Sequence, residues 1–243
     1  MKKNILITGT STGVGLESAI LFAKNNFKVY ASMRNLAKAE ALKKAIEADP
    51  LEQSTQEEID WVTNVNYTGV VRTTKAVLPF MREARAGHVV NITSIGGLVG
   101  QPFNELYCAA KFAVEGFTEA LATYVSAPFN INFSMVEPGG IATEFMTNAV
   151  SKMSNANGEM VSGEYAPIFE KYLSGAQNRA NTGEEQLYQT GKEVAEVVLK
   201  VVLSENPPLR IRTSKWAENL AHLKTQADPD GTKLVNQVKE YFL

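Results

Sequence analysis

The chain has 243 residues, 44% of them hydrophobic and 21% charged, with 24 Lys and Arg against 26 Asp and Glu. That excludes a disordered or low-complexity chain, and a net charge of −2 gives no bulk attraction to nucleic acid or anionic lipid, so no nucleic-acid partner is expected. One cysteine (Cys108) and two histidines (His88, His222) exclude an intrachain disulfide framework and argue against a structural metal site, while the absence of a long apolar run argues against a membrane span and for a cytoplasmic protein.

Residues 4–7 are a short β-branched run that predicts a strand, stopped by Thr8-Gly9-Thr10-Ser11-Thr12-Gly13-Val14-Gly15. Helical spacing of Val14, Ala19, Leu21, Phe22 and Ala23 follows, with Asn26 as its stop, then a strand over 27–32 and an Ala, Lys, Leu and Glu-rich helix over 36–48. Here the alternation breaks. Asp49-Pro50-Leu51 leads directly to Ser54-Thr55-Gln56-Glu57-Glu58, an N-cap with an acidic first turn, and a long helix bearing Trp61, Val65, Val70 and Phe80. Further on, strands are expected over 88–93, 131–136 and 209–213, and helices over 106–124, 193–203 and 232–243. Residues 144–190 read as irregular. No repeat or linker divides the chain, so a single domain over 1–243 is expected, with 144–190 as a substrate lid. Strand–helix alternation of this kind implies an α/β fold: a Rossmann-like doubly wound parallel sheet with helices on both faces.

The glycine-rich turn sits between a strand and a helix, where unpaired amides and the helix dipole favour a pyrophosphate and a side chain at the glycines would hold the ligand off. Gly9, Ser11, Thr12, Gly13, Val14 and Gly15 are therefore candidate cofactor-binding residues; the bland alternative is a tight turn that needs positive φ. The end of the second strand reads Ala31-Ser32-Met33-Arg34. An acid there would bind the 2′-hydroxyl of NAD, whereas Met33 followed by the guanidinium of Arg34 suits a 2′-phosphate. NADP(H) is expected over NAD(H), with a merely solvated Arg34 as the alternative.

Tyr107-Cys108-Ala109-Ala110-Lys111 places a phenol and an ammonium four residues apart, on one face of a helix. A phenol with a pKa of about 10 is a poor base at neutral pH, and a cation within about 4–6 Å lowers it by ~1–3 units. Ser94 ends a strand 13 residues earlier. These residues, with the glycine turn, match the short-chain dehydrogenase/reductase pattern in order and spacing, the turn resembling its TGxxxGxG. Asn66-Tyr67-Thr68-Gly69 resembles the family's Asn-x-x-Gly, and residues 138–143 its PGxIxT segment. The stretch 97–108 is similar to the 17β-hydroxysteroid and retinol dehydrogenase branch.

The resemblance implies that Tyr107 exchanges a proton with the substrate oxygen, and that Lys111 depresses its pKa and holds the nicotinamide ribose. It implies that Ser94 binds the carbonyl or hydroxyl, and that Asn66 holds a relay water. Pro138, Gly139, Ile141 and Thr143 would line the nicotinamide. The function implied is NADP(H)-dependent interconversion of a secondary alcohol and a ketone, or of an alcohol and an aldehyde, on an apolar small molecule, by a homodimer or homotetramer. A non-catalytic dinucleotide sensor keeps the turn without the chemistry; an extended sugar-nucleotide epimerase shares Tyr-x-x-x-Lys but not the glycine spacing. Met146, Met153, Met160, Phe169 and Tyr172 either wall an apolar pocket or pack within the lid. Cys108, His88 and His222 read as structural. The family also places a strand, a helix and a second strand before the long helix. That unit, roughly 30 residues or more, is absent between Ala48 and Leu51, so the chain reads as shorter than its native form, with two strand edges laid bare.

Overall fold

In the computed structural model, which describes residues 3–32, 51–141, 163–181, 188–233 and 236, every strand pairing is parallel. The chain order is β1 (Asn4–Thr8), α1 (Gly13–Lys24), β2 (Lys28–Ser32), α2 (Gln56–Thr63), a π-turn (Asn64–Thr68), α3 (Gly69–Ala84), β3 (Gly87–Ile92), a 3-10 turn (Ile95–Gly97) and α4 (Glu105–Phe129). It continues with β4 (Ile131–Glu137), β5 (Gly140–Ile141), α5 (Ala166–Asn181), β6 (Tyr188–Gln189), α6 (Gly191–Leu203), β7 (Arg210–Arg212) and α7 (Lys215–Thr225). Parallel strands with helical crossovers give the expected Rossmann-like α/β fold. No helix among the described residues is long and apolar enough to cross a membrane.

The residues divide into two compact units, Met1–Ser54 with Gly140–Lys200 and Thr55–Gly139 with Val201–Leu243. In the first, β1 lies beside β2 with Ile5 opposite Val29 and Thr8 opposite Ser32, and α1 supplies the crossover. Phe22 of α1 is fully buried and meets Phe27 edge-on at 5.0 Å. In the second unit the strand order is β3–β4–β7. Ile131, Phe133 and Met135 of β4 pack with Leu121 and Val125 of α4, and Leu78 and Met81 of α3 close over them. Burying each such side chain contributes about 1.5–3 kcal/mol. Ala217 and Ala221 of α7 pack separately beneath Ile95.

Two helices were not anticipated from the sequence. α5 lies in the stretch read as irregular, because its Gly, Ser and Asn content lowers helix propensity. α7 begins at Ser214, whose hydroxyl accepts from Ala217 N–H at 3.2 Å, a cap hidden between a strand and a turn. The helix expected over 36–48 lies outside the described residues, as do most of the lid and of the helix expected over 232–243.

Among the described residues β1 has one strand partner, β2, and β3 has one, β4. Strands at the centre of a parallel sheet are normally covered on both faces. Here Leu6 of β1 is 50% exposed and Tyr30 of β2 is 47% exposed.

Candidate active site

The glycine turn is shaped by its backbone. Gly9 and Gly13 have φ of +72° and +56°, where a side chain is strained. A Cβ on Gly15 would collide with the carbonyl oxygen of Gly9, so the third glycine lets α1 rise directly against the end of β1. Thr10 donates to the Ser32 carbonyl from both its amide (3.2 Å) and its hydroxyl (3.1 Å), fastening the turn to β2. Thr12 caps α1 without accepting a hydrogen bond through its side chain, and Ser11 and Thr12 are exposed. The first-turn amides beside Gly13 and Val14 thus have no side-chain cap from Thr12, but Gly191 at the start of α6 packs against them, a Cβ there standing 3.4 Å from Val14 N, so a pyrophosphate would need that segment to move. Arg34, with its neighbour Met33, and Thr143 lie outside the described residues.

Ser94 follows β3 and opens the 3-10 turn, its Oγ accepting from Gly96 N–H at 3.0 Å. Ile95 N–H donates to the Pro138 carbonyl at 2.8 Å, tying this turn to the residue after β4. The glycines that follow Ser94 set its distance from α4. A Cβ on Gly96 would lie 3.3 Å from Tyr107 Cε1, and one on Gly97 3.0 Å from Glu115 Cγ. With those side chains absent the turn lies flush on the helix, which brings Ser94 close enough to act on the Tyr107 phenol.

Lys111, one helical turn on, donates to the Ile92 carbonyl at 3.2 Å and holds its Nζ 5.5 Å from the centre of the Tyr107 ring. The structure therefore brings Ser94, Tyr107 and Lys111 together. Their electrostatics differ from the sequence expectation. Burial pushes the phenol up to about 12, against the lowering effect of Ser94, and pushes the Lys111 ammonium down to about 8 despite the Glu115 carboxylate. Lys111 is over the ring rather than at the hydroxyl, so the loss of water outweighs its attraction for the phenolate. The Tyr107 phenol is thereby held in its protonated form at neutral pH.

Asn66 sits in the π-turn that interrupts the helix from Gln56 to Ala84, a geometry often found at functional positions. Its Nδ2 donates to the Val62 carbonyl at 3.1 Å, and the neighbouring Tyr67 meets Phe117 of α4 edge-on at 6.3 Å. Asn64 is exposed and accepts from Arg72 at 3.4 Å. Lys111 and Asn66 each donate to a different carbonyl and are not joined directly. Pro138 is buried, and Gly139 has the Trp216 ring against it, 2.9 Å from where a Cβ would stand. Gly139 thus has a packing reason of its own. Ile141 lies in β5, opposite Gln189.

The residues read as structural behave so. Cys108 is buried, and burial pushes its thiol up. His88 Nε2 lies 3.0 Å from Ser134 Oγ, and burial lowers it to about 4. Phe169 is buried and stacks on Tyr172 at 6.2 Å; Met146, Met153 and Met160 lie outside the described residues. Sequence reasoning missed the Gly96–Gly97 contact and an ionic cluster joining Glu115, Glu119 and Glu137 to Arg210 and Arg212. The available signal was a glutamate at 115 among the small and apolar residues of α4.

The family described as short chain dehydrogenase matches residues 47–154. Retinol dehydrogenase 8 of Bos taurus is 34% identical over 96% of this chain and 88% of its own length. A 3-ketodihydrosphingosine reductase of Bacteroides thetaiotaomicron is 33% identical over 89% of each chain. Human 17-beta-hydroxysteroid dehydrogenase type 1 is 29% identical over 98% of this chain and 85% of its own. The crystal structure of a short-chain dehydrogenase from Streptomyces avermitilis shares the fold with a TM-score of 0.68 at 23% identity, covering 100% of this chain and 99% of that one. The bovine alignment runs over 281 positions yet takes up 96% of a 243-residue chain, so about 48 positions fall opposite gaps here.

Proposed function

The chain belongs to the short-chain dehydrogenase/reductase family, oxidoreductases acting on CH–OH groups, and from that premise we propose that it interconverts a secondary alcohol and a ketone, or an alcohol and an aldehyde, on an apolar substrate with NADP(H). The observation that carries this reading is the juxtaposition of Ser94 and Tyr107 about Gly96, with the Lys111 ammonium 5.5 Å from the centre of the Tyr107 ring. A bound nicotinamide supplies or accepts the hydride. Ser94 donates to the substrate oxygen and orients the carbonyl. Tyr107, protonated at neutral pH, gives its proton to that oxygen as negative charge develops there. Lys111 sets the field around the phenol and binds the ribose, and Asn66 holds the water that returns a proton to Lys111.

The turn residues Gly9, Ser11, Thr12, Gly13, Val14 and Gly15 hold the pyrophosphate, with Pro138, Gly139, Ile141 and Thr143 beside the nicotinamide. Arg34 holds the 2′-phosphate. Apolar substrates fit the named activities of the relatives, which act on a retinol, a sphingoid ketone and a steroid by their names. A cytoplasmic homodimer or homotetramer goes with this reading. The absence of about 48 positions favours one rival, a dinucleotide sensor that binds without turnover.

The test is consumption of NADPH with a panel of retinoid, steroid and long-chain ketones, beside titration of NADPH and NADH. The reading expects turnover, and Arg34→Ala costing at least tenfold more affinity for NADPH than for NADH. Tight binding without turnover would select the sensor; equal losses for both nucleotides would refute the role of Arg34.

A further inference from the structure

Behind Lys111, between α4, β4 and β7, lies a charged cluster that the proposed reaction does not use. Arg210 Nε is 2.8 Å from Glu115 Oε2 and 3.5 Å from Glu137 Oε1, and its second nitrogen meets Glu119 at 2.5 Å. Arg212 reaches Glu137 Oε2 at 3.3 Å and Glu218 of α7 at 2.7 Å. The cluster holds four carboxylates, Glu115, Glu119, Glu137 and Glu218, against two guanidiniums. Lys111 feels the Glu115 charge from one turn away. Glu115 is 4% exposed and Glu137 fully buried, and each leaves Oε1 buried with no hydrogen-bond donor. Both carboxyl groups meet the same Arg210 Nε, and the Glu115 charge acts on Glu137.

Two buried carboxylate oxygens that accept no hydrogen bond, on carboxyl groups sharing one guanidinium, are costly; a proton held by the pair lowers that cost and removes half of the excess negative charge. We propose that Glu115 and Glu137 share one proton at neutral pH, and that this carboxyl pair is a positioning element that locks the segments bearing Lys111 and Ser94 together. Glu115 presses on Gly97 of the Ser94 turn, and Glu137 precedes Pro138, whose carbonyl holds Ile95. The pair therefore touches α4, the serine turn and the end of β4. Burial, with the Glu115 charge, pushes Glu137 up to about 8 against the pull of Arg212 and Arg210. The positioning role rests on Tyr107 and Lys111 being the reacting pair, whereas the shared proton does not.

The experiment has two arms. A carboxyl held above its unfolded pKa gives stability that is complete at low pH and is lost as pH rises through the folded value. The wild-type melting midpoint, measured without substrate, is expected to fall by about 4 °C between pH 6.5 and pH 8. Glu137→Gln, which keeps a donor without the titration, is expected to hold level over the same interval, and Glu115→Gln serves if that variant does not fold. A wild-type midpoint that does not fall, or a glutamine variant that falls as much as wild type, overturns the shared proton. In the second arm, Glu137→Ala is expected to lose at least tenfold in ketone reduction at pH 7, with Glu137→Gln restoring most of it and flattening the rate between pH 6.5 and pH 8. A melting trend as expected with full activity in Glu137→Ala overturns the positioning role and leaves the Tyr107 chemistry standing. Loss of turnover in every variant and in wild type, with the melting trend intact, counts against the proposed function instead, and the shared proton stands.

Discussion

Tyr107→Phe removes one oxygen atom and leaves the ring against Gly96, where Cε1 lies 3.3 Å from the position of an added Cβ. Ser94 keeps its hydrogen bond from Gly96 N–H at 3.0 Å, so the variant loses a single hydroxyl contact, worth about 1 kcal/mol. The phenol is already neutral at pH 7 because burial holds it near 12, so no charge is lost from the folded state. The melting midpoint is therefore expected to move by no more than about 4 °C. Catalysis loses its proton donor, a loss of about 10²–10⁴-fold. Stopped-time NADPH consumption with the best ketone of the panel, beside NADPH titration by fluorescence, separates the two effects. The expected result is a collapse in kcat with the affinity for NADPH unchanged. A variant that keeps a tenth or more of wild-type turnover would refute Tyr107 as the proton donor.

Lys111→Met should raise the melting midpoint at pH 7 by about 3 °C while abolishing turnover. The ammonium is held down to about 8, below its unfolded value, so the folded state bears a penalty at neutral pH that fades as pH rises above about 8; a midpoint that drops in the variant would contradict this. His88→Gln should flatten the acid limb of stability, because burial lowers His88 to about 4 and wild type loses stability as pH falls from about 6.5 toward that value; melting curves from pH 4 to 7 check it. Gly15→Ala forces a Cβ onto the Gly9 carbonyl and should cost about 1–3 kcal/mol of stability and at least tenfold in dinucleotide affinity, read by calorimetric titration. Native binding in that variant would mean the turn is not the pyrophosphate site.

Most of the site was legible because its residues obey local rules. Gly9 and Gly13 announce positive φ, and Tyr107 and Lys111 stand one helical turn apart whatever lies around them. The Asn66 assignment over Asn64 rested on the spacing to Gly69; the structure adds a π-turn, which no periodicity reveals because it is a local change of winding. The electrostatics were not legible. Spacing places an ammonium near a phenol but says nothing of how much water either loses, and water decides both shifts. Glu115, Arg210 and Glu137 are far apart in sequence and meet only through the β4–β7 pairing with α4 above it. The absent strand–helix–strand unit was visible only against the family pattern, because no local rule in the residues around Pro50 marks a missing segment.

β1 carries one further consequence. A strand bonded to a neighbour on one side offers a row of amides and carbonyls on the other, a template any extended peptide can extend. With β2 as its one neighbour among the described residues and Leu6 half open to water, β1 is expected to favour self-association that grows with concentration, which light scattering over a dilution series checks. Such assembly would consume that edge. A synthetic peptide copying a relative's central strand would act as a plug, restoring dispersed protein as it binds.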